Sequence, residues 1–249
     1  MTDYDIRKLV RRGKGTQITL PGIEESAGGK AAYLKALRKM LRELGGAARQ
    51  ARGRFDLESL ARLALSLVST AEQTVNRILN LEAQRHTDTF VNSARRALGI
   101  DLSGVVRQED LAEFLRLVAA RNASLIKNLS DDTVKRVEQA VYDNLIAGNS
   151  RETLRRALTD QLGIADSRAK LIAQDQMAKL NSELNEFRHK QAGINEYVWT
   201  TSRDERVRAR HRALEGKVYR YGEPTGAEDG LAPGRPIRCR CIAKAVVQF

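Results

Sequence analysis

The sequence has 249 residues, of which 42% are hydrophobic, and a net charge of +12. This composition predicts a globular protein with room for one large domain or two modest ones, and it excludes a disordered chain. The longest uncharged apolar run, residues 63–71, is too short to cross a bilayer, and no apolar segment follows the N-terminal basic residues as in a secretory signal. We therefore expect no membrane partner. The two cysteines are too few for a disulfide framework, which favours a reducing compartment.

The positive charge is concentrated at the two ends of the sequence. Residues 1–55 hold 13 Lys and Arg against 5 Asp and Glu, and residues 196–249 hold 11 against 7. The residues between them are neutral overall. Basic end segments are typical of proteins that contact a polyanion, most often nucleic acid, although a solubilising tail has the same composition.

Residues 1–28 are rich in Gly and lack a sustained hydrophobic period, which predicts a basic flexible arm. A flexible arm follows phosphates and cannot read bases by fixed geometry, so the expected ligand is double-stranded DNA of any sequence. The candidate DNA-binding residues are Arg7, Lys8, Arg11, Arg12 and Lys14.

Residues 29–193 have the hydrophobic spacing of helices and form a predicted helical body. The breaks between helices are expected at Gly45-Gly46, at Ser130 or Asp131 as an N-cap, and at Ser150 as an N-cap. The predicted helices cover residues 31–44, 56–98, 108–129, 132–148, 151–163 and 166–193.

The helical spacing stops at residue 193, and the β-branched and aromatic residues that follow predict a small α+β module over residues 194–249. Strands are expected around Trp199, over residues 217–221 and over residues 238–249. A helix is expected to begin at Ser202, which forms a capping box with Glu205, and to end at Gly216. The predicted fold class is therefore α+β: a mostly helical N-terminal body followed by a small C-terminal α+β module.

The module contains a candidate metal site. On the predicted helix, Asp204 and His211 share one face, and on the predicted strand Cys239 and Cys241 point to one side. These four side chains could hold a structural zinc ion in a tetrahedral site. The same residues also fit a buried core cluster without metal, or a cysteine nucleophile with a histidine base.

These residues carry a resemblance to a known family. The segments "SRAKLIAQDQMAKLNSELN", "YVWTTSRDERVRARHRALEGKVY" and "PGRPIRCRC" resemble the phage Mu F-like minor head, or head morphogenesis, proteins of tailed bacteriophages. The matching residues are Trp199, Thr201, Asp204, Arg206, Val207, Arg208, His211, Leu214, Gly216, Pro233, Gly234, Cys239, Arg240 and Cys241. One departure is Arg238, where Asn often precedes C-R-C in the family.

The resemblance implies a structural, non-enzymatic protein of the virion. Such a protein lies inside the phage head, contacts portal or capsid proteins, and aids assembly, DNA packaging or DNA exit; it passes through the host cytoplasm during assembly. The basic arm would then contact packaged DNA or dock on an acidic portal surface. Two alternatives stay open: a prophage-derived DNA-binding protein, and a thiol- or metal-dependent hydrolase.

Overall fold

The computed structural model describes residues 4–50 and 54–249. It has the predicted α+β class, with 65% of the chain helical and one four-stranded antiparallel sheet. Among these residues, none of the helices combines the length and apolarity that crossing a membrane requires. Within the described ranges, the α-helices are Ile6–Leu9 (α1), Ala27–Gln50 (α2), Arg54–Leu98 (α3), Ala112–Ile146 (α4), Arg151–Gln191 (α5) and Ala209–Arg212 (α6). The strands there are Gln17–Thr19 (β1), Glu196–Thr200 (β2), Val218–Arg220 (β3) and Ile242–Gln248 (β4).

The chain divides into two compact units, each assembled from separate stretches of sequence. The sheet unit comprises Met1–Ser26, Asn80–Arg116 and Asp175–Phe249. The helical unit comprises Ala27–Leu79 and Leu117–Gln174. This division differs from the predicted segments 1–28, 29–193 and 194–249, because the sheet packs on parts of the long helices as well as on its own loops.

The sheet has the strand order β1-β4-β2-β3, and each neighbouring pair is antiparallel. Its central pair matches large side chains with small ones across the ladder: Trp199 lies opposite Ala243, and Tyr197 lies opposite Ala245. Both aromatic side chains are buried. The alanines leave room for the rings, so the register of β2 on β4 is fixed by packing as well as by hydrogen bonds.

The N-terminal segment is part of this unit, so the prediction of a flexible arm is wrong for its described part, from residue 4 onward. Strand β1 pairs with β4, with Ile18 opposite Val247. Ile6, Leu20 and Ile23 are buried in the core of the sheet unit. These apolar residues follow no local period because each enters the core from a different backbone conformation, and their partners are distant in sequence. Residues 1–3 of the predicted arm lie outside the described residues.

The long helices continue through three predicted breaks. Helix α2 passes Gly45 and Gly46, α4 passes Ser130, and α5 passes Gly163. Gly45 allows close helix packing, since a Cβ atom there would lie 2.6 Å from Cδ1 of Leu162. Ser130 is fully buried and therefore faces the core, where it does not cap a new helix. Tertiary packing thus overrides the local preferences of Gly and Ser.

One predicted helix start is confirmed. The Ser150 hydroxyl accepts a hydrogen bond from the backbone N–H of Thr153 at 3.2 Å, at the beginning of α5. Within the helical unit, the Tyr33 hydroxyl donates to Asn122 at 2.7 Å, and Arg38 makes a two-pronged ion pair with Asp166 at 2.6 and 2.8 Å. These side-chain bonds connect helices that are far apart in sequence.

Candidate functional site

The loop after β2 is held against that strand by backbone hydrogen bonds. The Trp199 N–H donates to the Lys217 carbonyl, and the Gly216 N–H donates to the Trp199 carbonyl, both at 2.9 Å. The predicted capping box and long helix are wrong, since only the four residues of α6 are helical. Helix α6 lies within this hydrogen-bonded loop. It places the His211 ring edge-on to the Trp199 ring, with the ring centroids 5.3 Å apart.

Both cysteines lie in the irregular segment before β4, with Cys239 at the end of a turn, where the sequence predicted a strand. The turn is tight: Arg238 has a φ of 60°, and the Cys239 N–H donates to the Pro236 carbonyl at 2.9 Å. Gly234 has a φ of 85°, and its N–H donates to the Cys239 sulfur at 3.4 Å. A Cβ atom on Gly234 would lie 3.0 Å from Cβ of Ser182 on α5, so this close approach favours glycine.

His211, Cys239 and Cys241 converge in the core of the module. The Nδ1 atom of His211 lies 3.5 Å from the Cys239 sulfur and 3.6 Å from the Cys241 sulfur. One potential ligand atom from each of the three side chains lies within 4.8 Å of the others. All three residues are buried, and both cysteines are free thiols. The predicted meeting of the histidine with the two thiols is therefore present, although the thiols are presented by an irregular segment.

Glu228 fixes the orientation of the His211 ring. Its Oε2 lies 2.6 Å from Nε2 of His211, which donates to the carboxylate and leaves Nδ1 as the lone-pair nitrogen facing the sulfurs. Arg208 holds the same carboxylate at 3.3 Å and donates to the Ile237 carbonyl at 2.5 Å. Sequence reasoning missed Glu228, because it lies in an irregular Gly- and Pro-containing loop with no period to indicate its direction.

Asp204 is not part of this cluster, which corrects the predicted ligand set. Its carboxylate makes a two-pronged ion pair with Arg240, with one contact at 2.6 Å, and it also accepts the Arg206 N–H at 3.1 Å. The Arg240 guanidinium lowers the pKa of Asp204. Arg240 lies between the two cysteines in the sequence, so the ion pair ties the loop after β2 to the cysteine turn.

The two thiols differ in acidity because one donates a hydrogen bond to the other. Donation from Cys241 lowers the pKa of Cys239 to about 6, against the opposing effect of burial. The same bond to Cys239, together with burial, raises the pKa of Cys241 well above its ordinary value. Cys239 is therefore the more acidic of the two thiols.

This arrangement is suited to binding and poorly suited to substrate turnover. Cys239, His211 and Glu228 have the order of a nucleophile, a base and an orienting carboxylate. The two thiols, however, are only 3% and 5% exposed, so a substrate would have to enter the packed core of the module to reach them. Two thiols and one oriented imidazole nitrogen form a ligand set for a soft or borderline divalent metal ion.

The candidate DNA-binding residues lie on the surface of the sheet unit. Arg7 is engaged in an ion pair with Asp5 at 2.8 Å. The other four, Lys8, Arg11, Arg12 and Lys14, are exposed, on α1 or between α1 and β1. This loop is anchored to β4, because the Gly15 N–H donates to the Phe249 carbonyl at 2.7 Å. The basic residues are thus presented by an anchored loop.

Comparison with known proteins gives one family match and one similar protein. Residues 135–244 match the family described as Phage Mu protein F like protein, so this part of the chain is similar to that family. A Haemophilus influenzae protein, described as an uncharacterised protein, is 33% identical over 176 residues. The match covers 70% of this chain and 39% of that protein, so the chain spans about two fifths of the length of its curated relative. No solved structure matches the chain.

Proposed function

We propose that this protein is a minor head protein that takes part in head morphogenesis of a tailed bacteriophage. The observation that carries the proposal is the family match over residues 135–244. The geometry supports it, because the motif residues of that family hold the module together. Asp204 binds Arg240, Gly234 approaches α5 closely, and His211 meets the cysteines. A motif that maintains a fold fits an assembly protein better than an enzyme.

The finer part of the proposal is a position inside the head, against portal or capsid proteins, with a role in DNA packaging or exit. The net charge of +12 supports proximity to packaged DNA. The test is mass spectrometry of purified full and empty heads from phage carrying the gene and from a deletion control. We expect the chain in the heads at a low ratio to the major capsid protein. Its absence from purified heads would reject the proposal and favour a prophage-derived DNA-binding protein.

The exposed basic residues near β1 are the proposed DNA contact. Replacing Lys8, Arg11, Arg12 and Lys14 with Gln removes four charges, and if all four reach phosphates the slope of log affinity against log salt changes by about 3–4. Arg7 is left in place because Asp5 already neutralises it. The measurement is duplex DNA binding at several salt concentrations.

A matched control removes the same charge elsewhere. Lys35, Lys39, Arg42 and Arg49 are exposed on α2, and their fourfold Gln variant has the same net charge as the first variant. We expect its salt slope to stay close to that of the natural protein. Equal losses in both variants would mean that only total charge matters. An unchanged slope in the first variant, with loss of binding to isolated portal, would instead identify a docking surface.

A further inference from the structure

The geometry of the cysteine–histidine cluster indicates a ligand whatever the role of the protein in a phage. We propose that His211 Nδ1, Cys239 Sγ and Cys241 Sγ bind one zinc ion, with Glu228 as the carboxylate that orients the histidine. The cluster has three features that a metal site requires: correct spacing, an oriented imidazole and a supported thiolate. Asp204 is outside the site.

The spacing of the ligand atoms fits a tetrahedral ion. A zinc ion with Zn–S bonds of about 2.3 Å and a Zn–N bond of about 2.0–2.1 Å separates sulfur from nitrogen by about 3.5 Å at tetrahedral angles. The structure has Nδ1 of His211 at 3.5 Å from one sulfur and 3.6 Å from the other. Both nitrogen–sulfur distances therefore match those around a zinc ion, and all three ligand atoms lie within 4.8 Å of one another.

The imidazole is held in the tautomer that binds metal. A histidine that coordinates zinc through one nitrogen donates its other N–H to a carboxylate or carbonyl in almost all known sites. Here Nε2 faces Glu228 at 2.6 Å, and Arg208 fixes that carboxylate at 3.3 Å. The carboxylate therefore directs the Nδ1 lone pair toward the two sulfurs.

The surroundings also support a thiolate at Cys239. The backbone N–H of Gly234 donates to its sulfur at 3.4 Å, as an N–H donor to a metal-bound thiolate would. The indole Nε1 of Trp199 is buried in the same core, and its N–H interacts with the Cys241 sulfur. A metal-bound thiolate at Cys241 would accept from this buried donor.

In this site, zinc would replace protons on the cysteine sulfurs. Zinc forms one bond to each sulfur and one to Nδ1 of the neutral His211, and each proton that the thiols still hold passes to solvent. No oxidant or reductant takes part. Three protein ligands leave one position of a tetrahedral ion for a water molecule.

The first test uses the natural sequence, so it does not depend on any variant folding. The protein is purified under reducing conditions without added zinc, and its metal content is measured. The metal is then exchanged for cobalt(II), whose thiolate charge-transfer absorption reports sulfur ligation. We expect one zinc per chain, a cobalt–thiolate band, and alkylation of both cysteines only after a strong chelator is added. Zinc-free protein with no cobalt–thiolate band and chelator-independent alkylation would overturn the proposal, as would isolation of a Cys239–Cys241 disulfide under the reducing conditions.

Variants then identify the ligands. In the Cys241→Ser variant we expect tight zinc binding to be lost and the cobalt–thiolate absorption to fall by half or more. In the Glu228→Ala variant we expect zinc binding to weaken by about 10–100-fold. Asp204→Asn is the matched control, because this acidic residue lies in the same module and contacts Arg240. It should retain one zinc per chain. The assigned ligand set would be contradicted if the Cys239→Ser/Cys241→Ser double variant kept its full zinc content. It would also be contradicted if Asp204→Asn kept its fold but lost zinc.

Discussion

The Trp199 side chain has two roles at the residue scale. It is fully buried opposite Ala243, and its ring lies edge-on to both His211 and Tyr219, with centroids 5.3 and 6.2 Å away. It therefore fills the core of the module and packs directly against the His211 ring of the cluster. The fully buried ring has no exposed face with which to contact a partner.

Trp199→Ala should lower the free energy of unfolding by about 3–5 kcal/mol, as large-to-small substitutions in a core do. Trp199→Phe, which keeps an aromatic ring against Ala243, should lose distinctly less. Because the substitution removes the chain's only tryptophan, unfolding is followed by circular dichroism or calorimetry. An unfolding midpoint for Trp199→Ala equal to that of the natural protein would show that the ring contributes no packing energy.

Individual residues also mark the limit of sequence reasoning. The convergence of His211 with the cysteines was predictable, because the motif spacing brings a loop and a turn to the same small module. Asp204, expected in the cluster, lies outside it, whereas Glu228, for which the sequence carried no expectation, contacts His211. Both are acidic residues in irregular segments, and which of them lies beside His211 depends on the arginine with which each forms an ion pair. Asp204 pairs with Arg240 and Glu228 with Arg208. These pairs form only in the folded chain, so local sequence does not predict them.

At the element scale, the sequence predicted the kind of structure well and its boundaries less well. Strands β2 and β3 and the start of α5 lie where local patterns placed them. Helices were predicted too short because Gly45, Ser130 and Gly163 were treated as breaks. Strand β1 was missed, since three residues carry no period and their partner strand lies at the other end of the sequence.

The adjacent glycines of α2 provide a matched test of this packing argument. A Cβ atom at Gly45 would lie 2.6 Å from Leu162, whereas a Cβ atom at Gly46 would meet nothing within 4 Å. Gly46→Ala should stabilise the protein by about 0.5–1 kcal/mol through helix propensity. Gly45→Ala should stabilise the protein less than this or destabilise it, because the Leu162 side chain must move.

Denaturant unfolding of both variants, followed by circular dichroism, makes the comparison. Since both substitutions change helix propensity equally, their difference isolates the contact with α5. Equal stabilisation by the two variants would show that Leu162 rearranges freely and that Gly45 is not required for the packing of α2.

At the scale of the whole molecule, buried histidines couple stability to pH. His86 and His189 are buried in the sheet unit, where His86 lies 3.0 Å from Oδ1 of Asn185 and His189 lies 2.7 Å from the Tyr221 hydroxyl. Burial lowers the pKa of each to about 3. Both histidines are therefore neutral in the folded protein throughout the range in which an unfolded histidine takes up a proton.

Acid should destabilise the sheet unit in a defined window. Because the unfolded pKa is about 6.5, the unfolded chain binds more protons than the folded chain as the pH falls below that value, and each histidine then costs about 2 kcal/mol by pH 5. Trp199 fluorescence reports unfolding of this unit. We expect the denaturant midpoint to fall between pH 7 and pH 5, and His86→Gln to reduce that fall by about half. A midpoint independent of pH over this range would contradict the assignment.

The pairing of β1 with β4 also has a consequence for synthesis. Strand β1 is translated before the helical unit, but β4 is translated after it. At typical elongation rates, Ile6, Leu20 and Ile23 wait on the order of ten seconds or longer for the strand that covers them. The segments of the helical unit end at Gln174, so that unit can fold while the ribosome is still translating the sheet. During that interval β1 and its flanking residues expose apolar side chains, which form a binding site for a chaperone and an opportunity for misassembly with a neighbouring nascent chain.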